Sequence, residues 1–420
     1  MLKAISNAWA QPMPAEILDT RKTMEYIRFL SQKIGGRGSC TLQERKAGDY
    51  VADQLRALGI GNVRTETFQA IPSTYSTFAL SFAAAFTGSL LLLFLGGRDM
   101  LTLSAILNGL GVWGMLAETE FAPSWTRWVL PHQPSLNVSG WIAPAGIVRQ
   151  RVVLCAHLDT HRTPIFYSSK RWHALFGALV GLTFLSMAAG AVIYSCAALL
   201  GWGGLRWVSL GLIPLQLFAL AMCLHAEFTP FSPGANDDAS GVAAALTLAR
   251  KLTKSPLQGT EVHLLFTGCE EVGARGMAAY LNQHARELGP ETLYIVLDEV
   301  GLGALKYLTK DGLLLKHPTH PRALQAAREA AQALPELKIQ EGPGIAYTDA
   351  LQATRRGLIA LTVCTVPEAG SGVESHWHRM SDTLENVRLS DIENCLSFVW
   401  TLLQQCDQQA VAAQPSVSGR

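Results

Sequence analysis

Charge is scarce in this chain. Of its 420 residues only 16% are Asp, Glu, Lys or Arg, against 49% apolar, and the mean hydropathy is positive. An ordinary soluble domain carries about a quarter charged residues, so the deficit points away from a wholly soluble protein. Neither sign dominates: the formal net charge is +1, which argues against the basic footprint of a nucleic-acid binder. The eight cysteines form no CxxC pair and show no regular spacing. Two of them, Cys196 and Cys223, lie in hydrophobic runs, and the set reads as free thiols in a reducing compartment. The first residues, MLKAISNAWAQPMPAE, lack the apolar core of a secretory leader, so no cleaved signal is expected.

The missing charge is concentrated. Residues 78–95, 101–117, 174–200 and 208–224 contain none at all. Each run is about long enough to cross a hydrocarbon core, and short turns join them pairwise. Two transmembrane hairpins are therefore expected, at 78–117 and 174–224. Trp113, Trp125, Trp128, Trp172, Trp202 and Trp207 cluster near the ends of the runs, as interfacial anchors do. Buried core helices are the other reading, which four charge-free runs in two tight hairpins disfavour. The remainder, residues 1–77, 118–173 and 225–406, is expected to form one discontinuous soluble domain. Residues 407–420, small and polar without periodicity, are expected to be a disordered tail.

The soluble segments alternate between helix and strand patterns. Thr41-Leu42-Gln43-Glu44 has the capping-box pattern at the start of a helix that buries Val51 and Leu55. The near-continuous apolar run at 151–156 has the character of a strand buried on both faces, and 261–266, 292–297 and 357–363 read as further strands. Helical patterns follow at 242–252, 275–284, 322–334 and 391–405. This rhythm predicts an α/β fold, in which ligands collect where the strands end.

The chemistry sits at those ends. Gly234-Ala235-Asn236-Asp237-Asp238-Ala239-Ser240-Gly241 sets two adjacent carboxylates between small residues at a helix start. Alone, it reads as a capped helix. It is not alone: His157-Leu158-Asp159 ends one strand, Glu270-Glu271 follows another, Asp298 a third, and His378 lies in a polar loop. Two histidines and several carboxylates brought together suit a borderline divalent ion, zinc first. In the His157/Asp159 pair the carboxylate can orient the ring of a ligand. His161 and His376 read as polar loop residues.

In order, the motifs AHLDT, GANDDASG, GCEEVGARG, LDEVG and HWHRMSDT resemble those of the co-catalytic dizinc aminopeptidases of peptidase family M28. That group holds bacterial leucyl aminopeptidases and glutamate carboxypeptidase. The resemblance spans about residues 20–405 apart from the hairpins. It implies a three-layer α/β/α sandwich around a mixed, mostly parallel sheet, here with four inserted transmembrane helices. It further implies that His157 and Asp298 bind one metal, Glu271 and His378 the other, and that Asp237 bridges them. Two zinc ions are expected, with cobalt or manganese as substitutes. Glu270 is then the general base toward a water activated by the metals, and Asp159 completes the catalytic set. Asp238 follows the bridging residue through a cis peptide, and Asp382-Thr383 selects His378 over His376 as the ligand, with Asp382 orienting it. The chain departs from the family at Thr348-Asp349-Ala350, where many relatives carry Ser-Asp-His.

The expected activity is removal of N-terminal residues from peptides by an integral membrane enzyme, partnered by peptide and bilayer and not by nucleic acid. A glutaminyl-cyclase-like or carboxypeptidase-like enzyme on the same scaffold is one alternative. A non-enzymatic membrane receptor that keeps the fold is the other, although it has no use for a base beside the metals. Hairpins return the chain to its starting side. With no leader and free thiols, that side is expected to be the cytoplasm, and for a bacterial source the membrane is the inner one. Arg127, Arg162, Lys170 and Arg171 flank the runs on that side, against Arg98 and Arg206 in the turns.

Overall fold

The computed structural model of the chain describes residues 20–367 and 374–413. It divides into two compact units. One holds residues up to Ala70, Pro134–His161 and everything from Phe231 onward; the other holds Ile71–Gln133 and Arg162–Pro230. In chain order the first elements are α1 (Thr20–Arg28), α2 (Leu42–Ala57), β1 (Arg64–Ala70), α3 (Thr74–Leu95) and α4 (Arg98–Thr119). Then come β2 (Gln133–Ile142), β3 (Gln150–His157), α5 (Lys170–Leu200), α6 (Ser209–Glu227) and α7 (Ala239–Lys254). β4 (Thr260–Thr267), α8 (Arg275–Leu288), β5 (Leu293–Leu297), β6 (Ala304–Asp311) and β7 (His317–Pro318) follow. α9 (Pro321–Gln332), β8 (Gln340–Pro343), β9 (Ile359–Val366) and α10 (Leu389–Ala412) complete the chain.

The first unit is built on one sheet in the order β1-β2-β4-β3-β5-β9-β6-β7, with β8 beside β6. Its centre, β4, β3, β5 and β9, is parallel, while β2 and β6 run antiparallel to their central neighbours. Successive side chains of a strand point to opposite faces. On β3, Val152, Leu154 and Ala156 join a core shared with α1, α2, α7, α9 and α10. Val153 and Cys155 join another with Met277, Tyr280 and Leu281 of α8. The sheet is thus covered on both faces, which is why its central strands read as continuous apolar runs. The architecture is the expected three-layer α/β/α sandwich.

Two local features set the site's frame. α7 is lined with small buried residues, and a Cβ on Gly241 would meet the Leu297 carbonyl at 2.3 Å. Only glycine lets the start of α7 approach the end of β5 that closely. The closing helix α10 continues to Ala412, beyond the expected tail boundary at 407. The Asp407 carboxylate is buried and accepts the backbone N–H groups of Gln258 (2.9 Å) and Gly259 (2.7 Å), which fixes that last turn. Residues 414–420 of the expected tail lie outside the described residues.

In the second unit α3 packs on α4 and α6, and α5 packs on α4 and α6. Helices of 22 residues, such as α3 and α4, measure about 33 Å, enough to cross a bilayer core. The bundle places its polar side chains inside, among buried apolar ones such as Phe82, Leu92 and Met187, and turns large apolar side chains outward. Ser81, Ser89, Ser104, Asn108, Thr183, Ser186 and Gln216 are buried, whereas Phe94, Ile106, Leu185, Val192, Leu199 and Leu210 are exposed. Gln216 Nε2 donates to Asn108 Oδ1 (2.9 Å), and Ser104 Oγ donates to the Gly88 carbonyl (2.6 Å). Such pairs average about 0.6 kcal/mol between membrane helices, so they set register more than they hold the bundle. Close approach does the rest: a Cβ on Gly111 would lie 2.8 Å from the Ser81 carbonyl.

Candidate metal centre

Five of the expected residues arrive where elements of the first unit end or begin. His157 is the last residue of β3; Glu270 and Glu271 lie three and four residues past β4; Asp298 directly follows β5; Asp237 lies two residues before α7. His378 stands apart in a loop, in a left-handed conformation with φ of 56°. All six side chains converge. His157 Nε2 lies 3.1 Å from Asp237 Oδ1 and 3.8 Å from Asp298 Oδ1. His378 Nε2 lies 3.4 Å from Asp237 Oδ2 and 3.3 Å from Glu271 Oε2. Asp237 therefore offers one oxygen to each histidine.

These separations fit a metal better than they fit hydrogen bonds alone. Two bonds of about 2.0–2.1 Å meeting at a tetrahedral angle hold their donor atoms about 3.3 Å apart. Oε1 of Glu270 and Oε1 of Glu271 are buried with no hydrogen-bond partner among the described residues. A buried acceptor left unsatisfied costs about 1–3 kcal/mol, more when charged, and a cation removes that cost. The side-chain donors available here are imidazole and carboxylate, the set preferred by zinc and its neighbours.

Electrostatics point the same way. Burial, aided by the neighbouring Glu271 and Asp298, drives the Glu270 carboxyl well above its ordinary range. Burial likewise pushes Glu271 up to about 7. Burial pulls the His378 ring down, but Glu271 and Asp237 outweigh it and lift the ring to about 9. Carboxylates crowded into a dry site hold protons that a divalent ion would displace.

Around these groups a layer of side chains fixes backbone. Asp159 Oδ1 accepts the Glu270 N–H (3.0 Å), and Oδ2 accepts the Glu271 N–H (3.2 Å) and the Ser39 hydroxyl (2.6 Å). Its expected role shifts accordingly. The His157 Nδ1 lies 3.1 Å from the Asp159 carbonyl and 3.6 Å from its carboxylate, so the backbone oxygen sets the tautomer that leaves Nε2 as the donor to metal. Asp238 follows Asp237 through a cis peptide. Its oxygen lies near His157 and Asp298 as well, but both of its oxygens accept backbone N–H groups, from His157, Gly241 and Glu299. Asp237 is therefore the better shared ligand. Asp382 accepts the N–H groups of Asn236 (2.8 Å) and Asp237 (3.1 Å); it holds the turn of the shared carboxylate, whereas the sequence reading aimed it at the His378 ring.

Three residues that the sequence did not single out belong to this layer. Glu44, expected only to complete a capping box, sends Oε2 to the Cys40 N–H and Oε1 to the Cys269 N–H, bracing the loop that carries Glu270. Burial pushes its carboxyl up to about 8. Arg37, fully buried, donates to the carbonyls of Leu30, Leu158, Pro233 and Gly234 and so ties three loops together. His161, read as a polar loop residue, is buried and lies with its ring 3.6 Å from that of His378. His376 stays outside the cluster, 2.8 Å from the Ser381 hydroxyl. Cys40 and Cys269, both thiols, meet at 3.4 Å beside this loop. At the departure Thr348-Asp349-Ala350, Asp349 is buried and accepts the Thr267 hydroxyl.

Residues 218–403, which carry all the expected ligands except His157, match peptidase family M28. Over 78 residues the chain is 37% identical to aminopeptidase YwaD of Bacillus subtilis, a stretch that is 18% of this chain and 17% of that protein. The match thus spans less than a fifth of that relative. BSAP, a zinc aminopeptidase from Bacillus subtilis, superposes with a TM-score of 0.56 at 15% identity, covering 94% of this chain and 96% of the other. The glutaminyl cyclase of Porphyromonas gingivalis gives 0.54 at 15% identity, with 93% and 99% covered. At such identities the likeness is one of fold.

Proposed function

We propose that this chain, whose residues 218–403 match peptidase family M28, is a membrane-bound dizinc aminopeptidase of that family. The single observation that carries the reading is Asp237, whose two oxygens face His157 and His378 separately. In this reading His157 and Asp298 hold one zinc, Glu271 and His378 hold the other, and Asp237 is shared. Zinc bound there supplies Lewis-acid polarisation of the scissile carbonyl and a more acidic water. The protein's own groups do the rest. Glu270, next to a ligand but with Oε1 unpartnered among the described residues, takes the proton from the attacking water and hands it to the leaving amine. Asp159 holds the Glu270 and Glu271 backbone in place through two N–H groups, which keeps the base and the ligand in fixed relation. Burial that raises the Glu270 carboxyl suits a group that must carry a proton between two steps.

The second unit supplies the membrane attachment: four long helices, apolar outside and with their polar side chains turned inward, crossing the bilayer as two hairpins. Their connections leave the metal-bearing unit on one side, the cytoplasmic one by the distribution of basic residues. A cyclase reading has support in the shared fold of a bacterial glutaminyl cyclase. One experiment separates the readings. The full chain, purified in detergent, should contain about two zinc ions and hydrolyse aminoacyl chromogens with free amino groups while sparing blocked ones. Release of pyroglutamyl products from N-terminal Gln peptides without hydrolysis of the chromogens would replace the peptidase reading with the cyclase one. Absence of bound metal would end both.

A further inference from the structure

His161 is tied into the metal centre by geometry that no motif announces. It lies four residues past His157, and its backbone is pinned: the carbonyl accepts the Ser232 N–H (2.8 Å), while the preceding Thr160 N–H donates to the Arg37 carbonyl (3.2 Å). Its side chain is 7% exposed. The ring stacks on that of His378 with centroids 3.6 Å apart and planes 10° from parallel. A nitrogen of His161 falls within 4.8 Å of the ligand atoms of Glu271 and His378, so two roles are open to it: extra ligand, or support for a ligand.

The stacking decides between them. An imidazole lone pair lies in the plane of its ring, so two nearly parallel rings 3.6 Å apart direct their lone pairs along nearly parallel lines. Such lines do not converge on a point about 2.0–2.1 Å from both nitrogens, as a shared zinc requires. Support is also what His378 needs. The other expected ligands are carried at strand ends, on the Glu270 loop braced by Glu44 and Asp159, or on the turn held by Asp382. His378 instead sits in a loop with positive φ, away from any strand end. Trp377 also meets its ring, with centroids 4.1 Å apart.

We propose that His161 is a positioning residue: its ring, acting as a stacked plate and not as a ligand, holds His378 in the orientation that binds the second metal. This rests on the dizinc reading above, and its test separates the two. The purified full chain, stripped of metal, is titrated with zinc by calorimetry, with bound metal counted after dialysis. Wild type should take up two ions. His161→Ala should weaken the more loosely held ion by about 10–100-fold, the range seen when the support of a metal-binding histidine is removed. His161→Phe, which keeps a flat ring and discards both nitrogens, should bind within about threefold of wild type. Equal losses in His161→Phe and His161→Ala would make the nitrogen a ligand and overturn the proposal, and so would wild-type affinity in His161→Ala. A measurement free of variants guards against poor folding: in the cobalt-loaded wild type the large through-bond contact shifts of directly ligated rings should appear for two histidines, and a third ring with such a contact shift would overturn it. A wild-type chain that binds no metal would instead bring down the dizinc reading itself.

Discussion

In the proposed mechanism Glu270 is the residue on which the chemistry turns, and its neighbours divide the labour around it. Glu271 faces His378, while Glu270 keeps an oxygen without a partner among the described residues. Replacing Glu270 with Gln preserves shape and removes the base. Turnover should then fall by at least about 100-fold, the usual range for loss of a general base, with the metal content left near two per chain. Parallel loss of metal and activity, read by elemental analysis beside the assay, would move the role elsewhere. The residues of this site differ in how they can be found. His157, Asp237, Glu270, Glu271 and Asp298 stand in short motifs beside strand or helix boundaries, so local sequence exposes them. Glu44 and Arg37 work on groups about two hundred residues away, Cys269 and Gly234, and no local pattern marks either.

At the scale of elements, the end of β6 carries a burial problem that pH should report. Asp311 accepts the Thr348 hydroxyl (2.7 Å) and the Gly312 N–H (2.7 Å), yet burial pushes its carboxyl up to about 7. In the unfolded chain the same group titrates near 3.9. Between those values the folded state keeps a proton that the unfolded state has released, so stability falls as pH rises from about 4 to about 7 and is level above that. Asp311→Asn removes this titration. The metal-free protein should therefore lose part of that decline in thermal unfolding, while wild type keeps it; identical slopes in both would assign the decline to other groups. The same junction explains part of the departure at residues 348–350. Thr348 bonds to Asp311 and Thr362, and Asp349 turns toward Thr267, so these side chains serve the ends of β4 and β6 and the middle of β9.

For the whole molecule the proposed membrane attachment carries a prediction about sidedness. Within the helical unit the two short turns lie together: a Cβ on Gly96 would come within 2.7 Å of the Arg206 guanidinium, which itself covers the Trp207 ring. Both turns should therefore emerge on one face of the membrane. In the proposed orientation that face is external, because Arg98 and Arg206 are outnumbered by the basic residues at the opposite ends of the hairpins. An Asp99→Cys variant in intact cells should react with an impermeant maleimide above the wild-type background. Labelling only after lysis would place the turns inside and the metal-bearing unit outside, where the close Cys40 and Cys269 thiols would face a different redox environment.

Much was legible in the sequence because the physics that encodes it is local. A buried parallel strand must be apolar throughout, a bilayer helix must be free of charge for its whole length, and a ligand at a strand end sits beside the run that carries it. These rules gave the α/β fold class, the four long apolar helices and the candidate ligands, and the resemblance to family M28 gave the sandwich. Tertiary structure alone decided what depends on distant segments meeting. Asp407 closes α10 because it finds two backbone N–H groups near β4. Asp382 serves the Asp237 turn and not the His378 ring, because its oxygens meet N–H groups of residues 145 and 146 positions away. His161 enters the site because folding lays its ring on one 217 positions along the chain, a contact with no periodicity to betray it.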